Sequence, residues 1–211
     1  MKDLYYKVKE NVIGQDEALK KIVATIDRNY HIENYRNKTN ILLIGPSGSG
    51  KTEIFKTISS IINVPLVIED SEQFSATGYV GSDVTDMLVD LIKSANGNIH
   101  LAQKGIIVID EIDKKITGSK DDVSGARVLN SILTMMEGSI YNVNLGTESF
   151  PDYHNFDTSN VTFVLAGAFS DLVKDTKTIG INKDLIKSYK YADITIDDLN
   201  KYGLSKETLR R

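Results

Sequence analysis

An α/β fold, with a parallel sheet covered by helices, is predicted for this 211-residue sequence by three observations. Short apolar runs rich in Ile, Val and Leu recur along the chain, as strands buried on both faces do. Amphipathic stretches at helical spacing separate them. One run passes through a glycine-rich loop directly into a helix.

In order along the chain, Ala18, Leu19, Ile22, Val23 and Ile26 follow Gln15 and Asp16 at helical spacing and predict a helix from 15 to about 30. Strands are predicted at Asn40–Ile44, Leu66–Glu69, Ile106–Asp110 and Val161–Leu165, with helices between them at about 51–62, 84–97 and 124–137. Polar and apolar residues alternate from Ser139 to Asn160 around Gly146 and Pro151, which reads as a hairpin or a projecting loop. The last forty residues are polar, with short helical pieces such as Ile196–Tyr202. No internal repeat and no linker divides the chain, so one unit is expected.

Composition bounds the chemistry. With 41% hydrophobic and 26% charged residues the chain can bury a core. The balance of 25 Lys and Arg against 29 Asp and Glu, a net charge of −4, argues against a large nucleic-acid footprint, and no nucleic-acid partner is expected. The absence of Cys excludes disulfides, thiolate nucleophiles and Cys-ligated zinc. His31, His100 and His154 are too far apart for a helical metal pair, so a metal would enter through oxygen ligands. With no Cys, no Gly-x-Ser-x-Gly elbow and no metal-binding His pair, nothing supports an intrinsic protease. Apolar runs such as Ile41–Ile44 are too short for a membrane span or a signal peptide core, and a cytoplasmic protein without a membrane partner is expected.

After the first strand, Gly45-Pro46-Ser47-Gly48-Ser49-Gly50-Lys51-Thr52 fills the phosphate-loop pattern and opens a helix. Glycines let the backbone curl so that N–H groups point inward, the helix N-terminus adds partial positive charge, and Lys51 neutralises the β- and γ-phosphates of ATP. Thr52 offers a hydroxyl to Mg²⁺. The strand from Ile106 ends in Asp110 and Glu111, which places two carboxylates at the sheet's carboxyl edge, where open α/β sheets bind ligands. Asp110 is the expected Mg²⁺ residue. Glu111 is the expected base for the attacking water, which favours hydrolysis over transfer to a small acceptor.

These residues resemble the AAA+ ATPases, P-loop NTPases, and within them the ClpX-type protein unfoldases. Val12-Ile13-Gly14-Gln15 is similar to the segment that lies against adenine in that family. The narrower likeness rests on Gly78-Tyr79-Val80-Gly81, on Ala102-Gln103-Lys104-Gly105 leading into Ile109-Asp110-Glu111-Ile112-Asp113-Lys114, on Asp122-Val123-Ser124-Gly125, and on Glu137-Gly138 and Gly167-Ala168-Phe169. HslU, a close relative, carries a large insertion after this second acidic element, and Asp113 to Asp122 leaves no room for one.

The resemblance implies a three-layer α/β/α domain with a five-stranded parallel sheet ordered 5-1-4-3-2. It implies a hexameric homo-oligomer, polypeptide substrates gripped by Tyr79 and Val80 on a pore loop, and a second pore loop at residues 119–125. The first of those loops also reads as a plain turn, and the second as a solvated loop before the helix that carries Leu129, Leu133 and Met136 into the core. Arg211 falls on the arginine finger, which completes a neighbour's site in trans, and equally reads as a solvated terminal residue. The 211 residues are thereby identified with the large ATPase subdomain, the N-terminal zinc domain and C-terminal helical lid being absent. Ile179-Gly180-Ile181 keeps two members of the tripeptide that docks a ClpP-like peptidase, and equally reads as an ordinary loop.

Two positions depart from the family. Asn144 to Asn155, where the family has a basic substrate loop, holds Glu148, Asp152 and His154 with no Lys or Arg, and the sensor-1 position after Leu165 is the apolar Ala166. The expected function is an ATP-hydrolysing unfoldase module; an AAA+ motor or loader on nucleic acid, or a nucleotide-binding fragment without turnover, are the alternatives.

Overall fold

Four of the apolar runs lie side by side in a parallel sheet: β1 (Ile41–Ile44), β2 (Leu66–Asp70), β3 (Ile106–Asp110) and, after an intervening antiparallel hairpin of β4 (Ile140–Asn144) and β5 (Tyr153–Asp157), β6 (Thr162–Gly167). The structure is a computed structural model that describes residues 2–31, 38–74, 83–116, 123–173 and 191–210. The order across the sheet is β1-β6-β3-β2, with every pairing parallel.

The helices follow from the alternation along these strands. In β3, Ile106 and Val108 face one side and Ile107 and Ile109 the other; in β6, Val164 and Ala166 oppose Phe163 and Leu165. The first face is covered by α1 (Lys2–Lys9), α2 (Asp16–His31) and α3 (Lys51–Ile62), which bury Leu4, Val8, Leu19, Ile22, Phe55 and Ile58 against it. The second is covered by α4 (Asp86–Ser94) and by the later α7 (Val123–Met136), through Leu88, Leu91, Ile132 and Met135. Fully burying one such side chain stabilises the fold by roughly 1.5–3 kcal/mol. Three layers result, as the fold class requires.

The short α5 (Ile99–Ala102) leads into β3, α6 (Ile112–Ile116) leaves it, and α8 (Ile196–Tyr202) and α9 (Lys206–Leu209) come last. Thr195 caps α8 reciprocally with Asp198, and Gly203 ends it. Leu199 and Leu204 join the second core.

The strand count is a correction. Among the described residues the parallel sheet has four strands, not five, although their order agrees with the implied one less its fifth member. Among the described residues four segments supply parallel strands, and the two in the middle of the sheet, β3 and β6, are the ones buried on both faces. The remaining two strands pair with each other, because their polar and apolar residues alternate across a tight connection: Tyr141 opposes Phe156 and Val143 opposes His154. The helix expected over 84–97 is shorter, since Ala95 caps it and Asn96 and Gly97 turn at positive φ. Among the described residues, no helix is long and apolar enough to cross a membrane.

Candidate nucleotide site

β1 delivers the chain to the loop Gly45–Gly50 at the carboxyl edge of the sheet, and the N–H of Gly45 donates to the carbonyl of Gly167 at the end of β6 (3.2 Å). Gly48 and Gly50 adopt φ of +75° and +82°, where a Cβ would be strained. Gly50 precedes α3 without any side-chain cap, so the first N–H groups of that helix point into the loop without a side-chain acceptor. Lys51 lies over the loop, its Nζ donating to the carbonyls of Gly45 (2.7 Å) and Pro46 (3.0 Å). The Ser49 N–H closes the turn onto the Pro46 carbonyl at 3.3 Å.

The second acidic element arrives from β3. Thr52 Oγ1, in the first turn of α3, donates to Asp110 Oδ2 at 3.1 Å. Two oxygen ligands of the kind Mg²⁺ prefers therefore meet beneath the loop. Ser47, Gly48, Lys51, Thr52, Asp110 and Glu111 line one cleft of ≈ 340 Å³. The uncapped helix start, the left-handed glycines and the threonine–carboxylate pair fit a magnesium–nucleotide. A larger cavity, ≈ 450 Å³, opens at the opposite edge near Asn29, His31 and Lys104; it has neither an uncapped helix start nor a carboxylate, so chemistry rather than size selects the site.

Glu111 is held in a left-handed backbone conformation, φ +57°, an uncommon geometry for a non-glycine residue that recurs at functional sites. Its N–H donates to Asp110 Oδ1 (2.9 Å), and Ser71 Oγ donates to its carbonyl (2.8 Å). Its carboxylate pairs with Lys114 Nζ at 2.5 Å, and the same ammonium reaches Glu72 Oε2 at 2.8 Å. Hydrogen bonding to Glu111 first, and then to Glu72, holds the Lys114 ammonium above the usual lysine range. Asp70, Glu72 and Glu111 bring carboxylate oxygens within 4.8 Å of one another.

Behind the cleft, Asp113 Oδ2 accepts from the Phe169 N–H (3.0 Å), tying α6 to the segment after β6. A Cβ on Gly167 would come within 2.5 Å of Asp113 Oδ1 and 2.7 Å of the Phe169 ring, which accounts for glycine there. Ala166 is buried in the core, whereas Ala168 lines the cleft.

Of the adenine segment, Val12 packs against the first-face core, and Ile13 is 96% exposed. Gln15 fixes that segment to the loop, Nε2 donating to the Ser49 carbonyl at 2.7 Å. Tyr79 and Val80, residues 119–122 of the second loop, Ile179-Gly180-Ile181 and Arg211 lie outside the described residues.

The comparison that decides the family is a match of residues 36–211 to a family model described as AAA domain (Cdc48 subfamily). The chain belongs to this AAA family. It is 37% identical over 230 aligned positions to the ATP-dependent Clp protease ATP-binding subunit ClpX of Treponema denticola, an alignment that takes in 96% of this chain and 55% of that protein. The chain thus spans about half the length of the curated relative it matches, and the ClpX-type resemblance read from the AAA motifs holds.

Sequence reasoning brought Gly45–Thr52, Asp110 and Glu111 to one place, and the AAA domain has them there. It did not find Glu72, Ser71 or Lys114 beside Glu111. Lys114 stood within a quoted motif, but nothing at position 72 signals a contact with a residue 42 positions away.

Proposed function

We propose that this AAA protein binds MgATP in the cleft between the Gly45–Thr52 loop and Asp110 and hydrolyses it. The observation that carries the reading is the approach of Thr52 Oγ1 to Asp110 Oδ2 directly below the uncapped start of α3. The N–H groups of Ser47, Gly48 and Gly50 and the Lys51 ammonium take the phosphates, and Lys51 exchanges its carbonyl partners for phosphate oxygens. Thr52 and Asp110 are the residues that would hold Mg²⁺, which supplies charge neutralisation at the β- and γ-oxygens when bound. Glu111, adjacent to Asp110 on the same turn, orients the water and accepts its proton. Val12 and Ile13 supply apolar contact for the base.

The ClpX-like likeness supports a finer reading. Hydrolysis drives unfolding and translocation of polypeptides through the pore of a hexameric ring of this chain. Tyr79 and Val80 grip the substrate, Arg211 completes the neighbour's site, and a ClpP-like peptidase docks at Ile179-Gly180-Ile181.

Glu111→Gln tests the core of the proposal. It should retain nucleotide binding and lower turnover by roughly 10²–10⁴-fold, the usual worth of a general base; undiminished hydrolysis, measured as phosphate release across a protein concentration series, would sink it.

A further inference from the structure

The contact that the proposed mechanism leaves unused is the ion pair on its own base. Lys114 Nζ sits 2.5 Å from Glu111 Oε2 and 2.8 Å from Glu72 Oε2, so one cation is divided between two carboxylates carried by different segments. Glu72 belongs to a single 3-10 turn, Ser71–Gln73, capped by Asp70 through the Glu72 N–H (2.8 Å). That turn is fastened to the residues after β3 at two further points: Ser71 Oγ on the Glu111 carbonyl (2.8 Å) and Lys115 Nζ on the Phe74 carbonyl (3.1 Å). The backbones that carry the two carboxylates are thus held in place, while the lysine between them, 47% exposed, stays free to favour either. Exposed pairs of this kind each contribute little, so neither partner monopolises the ammonium. An ammonium seated on Glu111 occupies an oxygen that a base must present to water.

We propose that Lys114 is a positioning residue that restrains Glu111, and that Glu72 sets the turnover rate by drawing Lys114 away from it. The proposal rests on Glu111 serving as the base. Removing the competitor leaves Lys114 to Glu111 alone, whereas removing Lys114 releases the base and makes Glu72 irrelevant. The two changes therefore act in opposite directions.

The test is a double-mutant cycle on the full chain, read as kcat and KM for MgATP. Glu72→Gln lowers kcat about threefold with KM unchanged, Lys114→Gln raises kcat about twofold, and Glu72→Gln has no further effect in the Lys114→Gln background, factors in the range of surface-pair energies. Lys114→Arg, which keeps charge and reach, restores the dependence on Glu72. Equal effects of Glu72→Gln in both backgrounds, or a fall in kcat from Lys114→Gln, would overturn it. If the parent chain shows no turnover, the hydrolysis reading fails and the bridge is read directly from the ¹³C resonance of the Glu111 carboxyl. A shift caused by Glu72→Gln only while Lys114 is present supports the shared bridge, and equal shifts with and without Lys114 overturn it.

Discussion

The two ends of the same parallel strands solve the problem of polar groups in opposite ways. At the amino end, polar atoms are consumed internally. Lys38 Nζ donates to the carbonyls of Val161 and Thr158, the latter at 3.3 Å, with the Phe163 ring 5.5 Å below. Thr158, fully buried, accepts from the Ser139 N–H (2.9 Å) and reaches the Met135 carbonyl (2.8 Å). Asn40 Oδ1 accepts from the Phe163 N–H at 3.2 Å. At the carboxyl end, uncapped N–H groups, Lys51, Thr52, Asp110 and Glu111 face a cleft, and Gln15, Glu111 and Phe169 keep positive φ, whereas the positive-φ residues leading into the amino end, Asn63 and Asn96, are of the type that tolerates it. One end is built to be satisfied by the protein and the other to be satisfied by a ligand, which is where strain is expected to collect.

Substitutions should break this contrast unequally. The largest effect belongs to the carboxyl end: Lys51→Ala weakens ATP binding by roughly 10²–10³-fold, the worth of charge-assisted hydrogen bonds to two phosphates, with little change in thermal midpoint. Calorimetric titration and a melting curve on the same samples check both halves.

At the amino end the order reverses. Burial pushes the Lys38 ammonium down from 10.5 to about 8, with nearby Asp157 opposing the shift. Between those values the unfolded chain binds the extra proton, so this group makes the fold more stable as pH rises through the window. The difference in unfolding free energy between parent and Lys38→Met should therefore change by roughly 2–3 kcal/mol between pH 8 and 10.5, the parent gaining. A difference independent of pH would remove Lys38 from the contrast. Smallest is Thr158→Val, which strands the Ser139 N–H and costs about 2 kcal/mol in denaturant unfolding while ATP affinity holds; lost affinity would mean that the two ends are coupled.

The same contrast explains what could be read from residues alone. The Gly45–Thr52 loop and the Asp110-Glu111 pair were legible because phosphate and metal chemistry restrict residue types at close spacing. The core strands were legible because β3 and β6 are buried on both faces and carry unbroken apolar runs. The helix α1 was missed: only Leu4 and Val8 are buried on it, one i, i+4 pair, too little to show a period. The amino-end network was invisible because its members, such as Lys38 and Val161, are over a hundred positions apart and individually ordinary. The shared lysine at Glu111 was hidden for the same reason. A fifth sheet strand was expected from resemblance alone, and no described segment supplies it.

The placement of β3 between β2 and β6 has a consequence for how the protein breathes. A central strand whose residues Ile106–Ile109 are buried exchanges its amide hydrogens only when the whole domain opens, whereas segments at the periphery open at lower cost. Asp110 and Glu111 are anchored to that slowest-opening strand. Alignment of the two carboxylates should then persist through every partial opening of the periphery and vanish only with global unfolding, so its lifetime is set by the stability of the domain as a whole.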